Sequence, residues 1–500
     1  MKQILLTTLN ARYTHTSLAL RYLLANLHEL QESAQIQEFT INDAIQSVAE
    51  AILAAKPRII GIGVYIWNAK ETHELIHILK KVAPEIIIVL GGPEVSHEPF
   101  RVDFSHADYI IQGEGEVSFY QLCRDILASH MPNERTIKAK LPSLKTLELP
   151  YAFYTDEDIQ NRYIYVESSR GCPFLCEFCL SSIDERVRSF HMPTLLKEFE
   201  KLWVRGARNF KFIDRTFNIN IKTANDILDF FLAKEPPYFA HFEVIPDHFP
   251  DSIKAKIKRF SHAALQLEIG IQTLNPQIAE NISRPLKLEK IKENIAYLEN
   301  ETEAHMHLDL IVGLPGESLE SFGANLDALV ALSKSEIQIG ILKKLSGTSI
   351  NRHDIEHGMV YSDIPPYDIL KNDLLSFEDI MIMKRFARFW DLFYNSGNFK
   401  NSTPLLWKND SVYKSFYDFG MWIYGQTLAT HKISLERQSE LLFSYLCDVK
   451  HLPKSEAASA LINDIARLKG RAIPAYLKPY SHAITVDAQS GSSGFNKRQI

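Results

Sequence analysis

Long hydrophobic runs are missing from this 500-residue chain. No apolar stretch approaches the ~20 residues that cross a bilayer, so no membrane span is expected. The opening residues 1–8 hold too short an apolar stretch for a secretory leader and read as a strand. An excess of positive charge is missing too: 55 Lys and Arg stand against 61 Asp and Glu, a net charge of −6. Without a concentrated basic patch, no nucleic-acid partner is expected. There is no repeat of fixed period, which excludes a solenoid. Cysteine is scarce, at five residues. That excludes a disulfide-stapled scaffold and points to a reducing, cytoplasmic interior. What is present, 46% hydrophobic residues, is ordinary for a globular chain, and the length is a soft prior for about three domains.

Scarce as they are, three cysteines fall together. Cys172, Cys176 and Cys179 lie in Arg170-Gly171-Cys172-Pro173-Phe174-Leu175-Cys176-Glu177-Phe178-Cys179, a C-x3-C-x2-C spacing. A cubane iron–sulfur cluster normally takes four thiolates. Three from one loop leave one iron open to bind and reduce a substrate, which a pure electron carrier does not need. Zinc is the alternative, because it also takes Cys3His sites and His191 follows nearby. Structural zinc sites usually pair two knuckles, however, and no second knuckle is present. Spacing alone favours the cluster and leaves zinc open.

Ahead of this loop, residues 1–130 alternate strand and helix. Apolar runs at 4–8, 35–41, 58–65, 85–90 and 109–111 read as strands, and helical spacing marks 16–30, 43–55, 69–82 and 116–129. Strands apolar on both faces and separated by helices imply a doubly wound parallel sheet. Ligands bind such sheets at the carboxyl ends of the strands. Asn10, Arg12 and Tyr13 follow the first strand, Tyr65 and Trp67 the third, Gly91-Gly92-Pro93-Glu94 the fourth, and Gly113-Glu114-Gly115-Glu116 the fifth. Glycines there let the backbone turn and approach a large ligand closely.

Residues 131–162 are polar and proline-containing and read as a linker. Over 163–350, strands at 163–167, 209–214, 241–245, 265–271, 305–312 and 336–342 with helices between them predict a partial (β/α)6 barrel of TIM type. Barrel chemistry sits at the carboxyl ends of strands. Polar residues gather there: Asp214, Glu243, and Gln266, Glu268 and Gln272, which share one face of the fourth strand at period two. Three polar side chains on a buried strand are costly unless bonded; a structural network and a bound polar ligand both satisfy them, and the ligand is favoured. From 360 to 486 the pattern is helical and aromatic, with Phe386, Phe389, Trp390 and Phe393 in one stretch and Phe416, Phe419 and Trp422 in another. Such stripes serve as core, or here as a cover that keeps water from the barrel mouth. Residues 487–500 read as a flexible tail.

The cysteine run closely resembles the signature of radical S-adenosylmethionine (SAM) enzymes. The resemblance implies that Cys172, Cys176 and Cys179 hold a [4Fe–4S] cluster whose open iron takes the amino and carboxylate groups of SAM. Reductive cleavage then gives methionine and a 5′-deoxyadenosyl radical. Phe178 matches the aromatic near the adenine. Phe212-Ile213-Asp214 resembles the second-strand motif at the methionyl group, and Glu243 is expected at the same site. Glu268 to Thr273 resembles the fourth-strand motif near ribose and methionine, which places Glu268 and Gln272 there. Arg284 suits the SAM carboxylate, and Gly313-Leu314-Pro315-Gly316-Glu317 matches a turn whose backbone lines the adenine site through Gly313 and Gly316.

The sheet ahead resembles the flavodoxin-like cobalamin-binding domain found upstream of one radical SAM subgroup. It implies that Asn10, Arg12, Tyr13, Gly91, Gly92, Gly113 and Glu114 surround cobalamin. The D-x-H-x-x-G element that ligates cobalt in related domains is absent, and His15 and His97 lack its spacing. No histidine axial ligand is therefore expected, and Tyr65 or Trp67 is expected under the corrin. The C-terminal helices are similar to an uncharacterised module of some cobalamin-dependent radical SAM proteins. Together the resemblances imply an enzyme that methylates an unactivated carbon of a small molecule, using a flavodoxin- or ferredoxin-type electron donor. One alternative keeps the cofactors but performs oxidative cyclisation or ring rearrangement; another is a non-catalytic iron–sulfur or zinc-binding protein.

Overall fold

A computed structural model describes residues 2–468 and 470–483; the tail expected at 487–500 lies outside the described residues. The first sheet contains β1 (Ile4–Asn10), β2 (Ala34–Thr40), β3 (Ile59–Gly63), β4 (Ile87–Gly91), β5 (Tyr109–Gln112) and β6 (Thr136–Lys138). Its order is β2-β1-β3-β4-β5-β6, with every pairing parallel. β1 is buried along its whole length because its alternate residues serve two cores. Leu5 and Leu9 pack with Ile52 and Leu75 on one face, while Ile4 and Leu6 pack with Leu20 and Phe119 on the other. The chain leaves β1 towards β2 on one side and β3 on the other. That reversal opens a crevice at their carboxyl ends.

The segment expected to be a linker is structured. Thr136–Lys138 becomes β6 by pairing with β5. Thr155 and Asp158 form a capping box on the helix Asp156–Asn161. Asp158 also accepts from the buried Arg21 at 2.7 Å, which pins that helix to the first sheet. Polar composition misled here because the carboxylates and hydroxyls that look solvated in sequence are consumed in caps and ion pairs.

The second sheet opens with β7 (Ile164–Val166); a separate antiparallel pair, β8 (Ser169–Arg170) and β9 (Arg188–Ser189), follows it in the chain. It continues with β10 (Asn209–Phe212), β11 (Phe239–Val244), β12 (Leu265–Gln272), β13 (His305–Val312) and β14 (Glu336–Ile341). The parallel order is β14-β13-β12-β11-β10-β7, so the six expected strands form a partial barrel with β7 and β14 at its edges. On β12, Leu265, Leu267, Ile269 and Ile271 are buried, while Gln266, Glu268, Gly270 and Gln272 are only partly so. The polar set thus shares one face, as the alternation predicts.

The C-terminal helices include Phe377–Trp390, Val412–Thr427, Leu435–Ser444 and Lys454–Ala466. Their aromatics are core, not a cover over the barrel mouth. Trp390 is fully buried and stacks on Phe386 and Tyr394. The helices pack on the outside of the barrel: Tyr413 lies so near Gly323 of the helix Leu319–Leu332 that a Cβ there would meet its ring at 2.4 Å. Asn395 donates to the carbonyl of Ile337 and accepts from its N–H, both at 2.9 Å, and so covers part of the exposed edge of β14.

Candidate functional site

The cysteine loop hangs between β8 and β9. Gly171 starts it at φ +89, and a Cβ there would lie 2.3 Å from the Arg186 carbonyl oxygen, so only glycine fits. Cys172 N–H donates to the Asp184 carbonyl and Cys179 N–H to the Cys176 carbonyl, at 2.9 and 3.0 Å. Cys172 and Cys176 are buried, Cys179 is half-buried, and none is in a disulfide. Burial pushes the Cys172 thiol up. Among the described residues, the three-ligand groups whose donor atoms all lie within 4.8 Å are His305–His307–Glu336 and His353–Glu356–His357; the cysteine trio stays wider. Zinc would draw its sulfurs to about 3.8 Å apart. The loop therefore fits a larger cluster better than one zinc ion. His191 bonds Thr194 at 2.9 Å, at the start of a helix.

The three cysteines open into a cavity of about 180 Å³, which Phe178, Glu243, Glu268, Gln272 and Arg284 also line. Arg284 donates to Cys176 Sγ at 3.3 Å and to the carbonyl of Gly270. Gln272 has φ +69 at a bulge ending β12, a strained position of the kind that persists at binding sites. Burial disfavours charge on Glu268, but the 3.0 Å contact with His241, aided by Lys211 and His307, holds its carboxyl down at about 2. Glu243 pairs with Arg215 at 3.0 Å.

Three expected residues lie elsewhere. Asp214 does not line the cavity; it accepts from Ser168 N–H and the Ser168 and Ser169 hydroxyls, at 2.6–3.1 Å, and so holds the chain just ahead of the cysteine loop. Its polar neighbours follow β7, one strand over, so its side chain turns sideways instead of inward. Gly313 and Gly316 have φ +91 and +80 and shape a turn packed against Ile369 and His357, outside the cavity lining. The sequence reading missed Arg215 and Asp309, which do line it. Asp309 Oδ1 is buried without a hydrogen-bond partner, and burial, followed by the charges of Glu268 and Glu243, pushes its carboxyl well up. The alternation His305, His307, Asp309 along β13 would have found it. Asp309, Phe178 and Gln272 also border a second cavity of about 350 Å³ against β14.

In the first sheet, Tyr65, Gly91, Gly92, Gly113 and Glu114 line a largely apolar cavity of about 350 Å³ that runs between the sheet and the helices Leu18–Ala25 and Glu116–Leu127. Gly92 has φ +109, and a Cβ would sit 2.5 Å from the Val64 carbonyl oxygen. Asn10, Arg12, Tyr13 and Trp67 do not line it. Asn10 donates to the His15 carbonyl and to Glu38, both at 3.1 Å. Tyr13 donates to Glu157 at 2.6 Å, and Arg12 is exposed. Trp67, 42% exposed, stacks on Tyr65 with ring centres 4.5 Å apart and presents a flat indole beside the cavity. His15 meets Tyr165 at 2.6 Å, and burial followed by the charges of Lys211 and Arg12 lowers its pKa to about 4. His97 packs against Gly347.

The two carboxyl ends face each other. Arg170, directly ahead of Gly171, pairs with Glu114 at 2.7 Å and Glu116 at 2.8 Å, and Arg188 pairs with Glu114. Residues 343–373 cross between the sites. Ile350 N–H donates to the Glu177 carbonyl at 3.1 Å, and Arg352 and His353 meet the buried Glu177 carboxylate at 2.5 and 2.8 Å. Tyr367 donates to Glu94 beside Gly92-Pro93. One stretch of chain therefore touches the cysteine loop, the Gly313–Gly316 turn and the Gly91-Gly92 loop.

Comparison with known proteins divides the chain in three. Residues 4–122 match the B12 binding domain, residues 166–329 the radical SAM superfamily, and residues 355–483 a protein domain of unknown function, DUF4080. A 2-(S-pantetheinyl)-carbapenam-3-carboxylate methyltransferase of Streptantibioticus cattleyicolor is 24% identical, the match covering 59% of this chain and 47% of that protein. The chain thus spans about half the length of that relative. An uncharacterised methyltransferase of Pyrococcus horikoshii is 23% identical, covering 72% of this chain and 84% of that one. The cobalamin-dependent SAM radical enzyme OxsB, solved with aqua-cobalamin and SAM, aligns at a TM-score of 0.59 with 14% identity, covering 92% of this chain and 78% of that one. It shares the fold.

Proposed function

We propose that this radical SAM protein with an N-terminal B12-binding domain is a cobalamin-dependent methyltransferase acting on an unactivated carbon of a small molecule. When bound, the cluster supplies the electron that cleaves SAM to methionine and a 5′-deoxyadenosyl radical, and cobalamin supplies methyl transfer. Cys172, Cys176 and Cys179 hold the cluster. Arg284 takes the SAM carboxylate, for which a guanidinium fork is suited. Glu243 and Glu268 face the ammonium and sulfonium charges, Asp309 and Gln272 the ribose hydroxyls, and Phe178 the adenine. The glycine-lined cavity of the first sheet takes the cobalamin nucleotide tail, with the Trp67 indole beside the corrin. The protein works in the cytoplasm and takes its electron from a flavodoxin- or ferredoxin-type donor. Among the described residues no helix is long and apolar enough to cross a membrane.

The observation that carries this reading is the Arg170–Glu114 pair, which ties the chain directly ahead of the cysteine loop to the lining of the glycine-rich cavity. In this reading a carbon activated beside the cluster meets a methyl donor held by the first sheet, and proximity of this kind is worth several powers of ten in rate. The test is anaerobic reconstitution with iron, sulfide, cobalamin and SAM. Retained cobalamin absorption, 5′-deoxyadenosine release and loss of the iron chromophore in Cys176→Ala are expected. A protein that binds no cobalamin would end the methylation proposal, and product mass separates methylation from oxidation.

A further inference from the structure

The barrel interior carries a second group of donors, at the end opposite the cysteines. His305 and His307 open β13 and Glu336 opens β14, and the parallel register sets His307 beside Glu336. His305 Nε2 lies 2.9 Å from His307 Nε2 and 3.1 Å from one Glu336 oxygen; the other oxygen lies 3.5 Å from His307 Nε2.

Three mutual contacts of this kind cannot all be hydrogen bonds while the carboxylate is ionised. Each ring nitrogen has one in-plane site, filled by a proton or by a lone pair. One proton between the rings leaves the accepting nitrogen with its lone pair towards the carboxylate. A proton on each nitrogen sets two protons against each other. A cation at the centre accepts all three lone pairs together. The spacing suits it: metal–nitrogen bonds of about 2.1 Å place neighbouring donors about 3.0 Å apart in an octahedron and about 3.4 Å apart in a tetrahedron.

The surroundings agree. His307 and Glu336 side chains are 11% and 12% exposed, whereas His305 is 35% exposed and leaves a path for an ion from solvent. The far nitrogen of His307, Nδ1, accepts from the side-chain NH2 groups of Gln338 at 2.7 Å and Gln266 at 3.2 Å. Gln338 turned about its amide so that its oxygen faces Nδ1 would put the proton there and leave Nε2 for a metal, the usual arrangement around a ligating histidine.

We propose that His305, His307 and Glu336 bind a first-row divalent cation, zinc or ferrous iron, apart from the cysteine cluster. Two imidazoles and a carboxylate suit these ions. The ion ties β13 to the edge strand β14 and stiffens the open side of the barrel beneath Asp309, which shares the same strand face.

Holoenzyme whose cysteines already carry the cluster is dialysed against zinc sulfate, then bound zinc, iron and sulfide are measured. Wild type takes up about one zinc per chain beyond the cluster, and His305→Ala and Glu336→Gln lose that uptake with iron and sulfide unchanged. Gln338→Ala, which alters only the outer partner, weakens zinc affinity by roughly 10–100-fold. Because His305 is partly exposed, its variant tests the site even where Glu336→Gln misfolds. Cobalt substituted for zinc, read as the difference from the same cluster-loaded protein, adds d–d bands without a new thiolate charge-transfer band. No extra zinc in wild type, equal uptake in His305→Ala, or a new thiolate band in the cobalt difference spectrum would each overturn the proposal. None of these readings needs SAM, cobalamin or a substrate, so they stand apart from the outcome of the methylation test.

Discussion

Arg284 meets Cys176 through one guanidinium nitrogen and the Gly270 carbonyl through another. Lysine keeps the charge but loses the fork. Hydrogen bonds to charged groups contribute roughly 1.5–3 kcal/mol, so Arg284→Lys should weaken SAM binding by about 10–100-fold with cluster content unchanged, read by equilibrium dialysis of SAM. Glu317, 1% exposed, accepts from Thr273 at 2.7 Å and Asn325 at 2.8 Å through one oxygen, while the other is buried without a partner. Burial outweighs those bonds and raises its pKa to about 7. Its stabilising effect is full below the ordinary carboxylate value and fades as pH rises to about 7, because the unfolded chain ionises first. The loss is on the order of 3 kcal/mol. Wild type should therefore lose thermal stability relative to Glu317→Gln between pH 5 and pH 7.5, read by calorimetry. Glu268 and Gln272 were legible from period-two spacing, and Asp309 was legible by the same rule one strand on. Asp214 was legible as an acid, but its direction was not, because the Ser168 and Ser169 groups it binds come from a neighbouring strand.

The strands and helices of both sheets were legible because their apolar runs are long and bounded by glycine, proline or caps. The segment at 343–373 was not, since its role depends on partners far away in sequence. His353 and Arg352 bring charge-assisted bonds to Glu177, a buried carboxylate inside the cysteine loop. Removing one partner of such a group costs roughly 1.5–3 kcal/mol. His353→Ala should therefore release iron from the reconstituted protein about tenfold faster in a chelator challenge, with partial recovery in His353→Gln. Unchanged iron loss would mean that the loop holds itself. The matched domain of unknown function begins at residue 355, within this segment. Its aromatic helices then cover β14 and the outer barrel helix.

Arg170 joins the halves of the molecule: it pairs with Glu114 and Glu116, which follow β5 of the first sheet, and with Glu167, which follows β7 of the second. Arg170→Met should leave each half able to hold its own cofactor. It should also raise the 5′-deoxyadenosine formed per methylated product several-fold, measured by chromatography of both in one reaction. An unchanged ratio would separate this contact from coupling between the sites. The sequence by itself determined the three-part order, both parallel sheets and the cysteine loop, because each follows from local spacing, strand patterning and the turns that only glycine permits. Tertiary structure decided which polar groups enter a cavity and which hold the backbone. It also turned the supposed linker into a sixth strand, laid the aromatic helices on the barrel's flank, and brought His305, His307 and Glu336 together. Each of those outcomes depends on where a buried donor or charge finds its partner, and those partners lie dozens to hundreds of residues away along the chain.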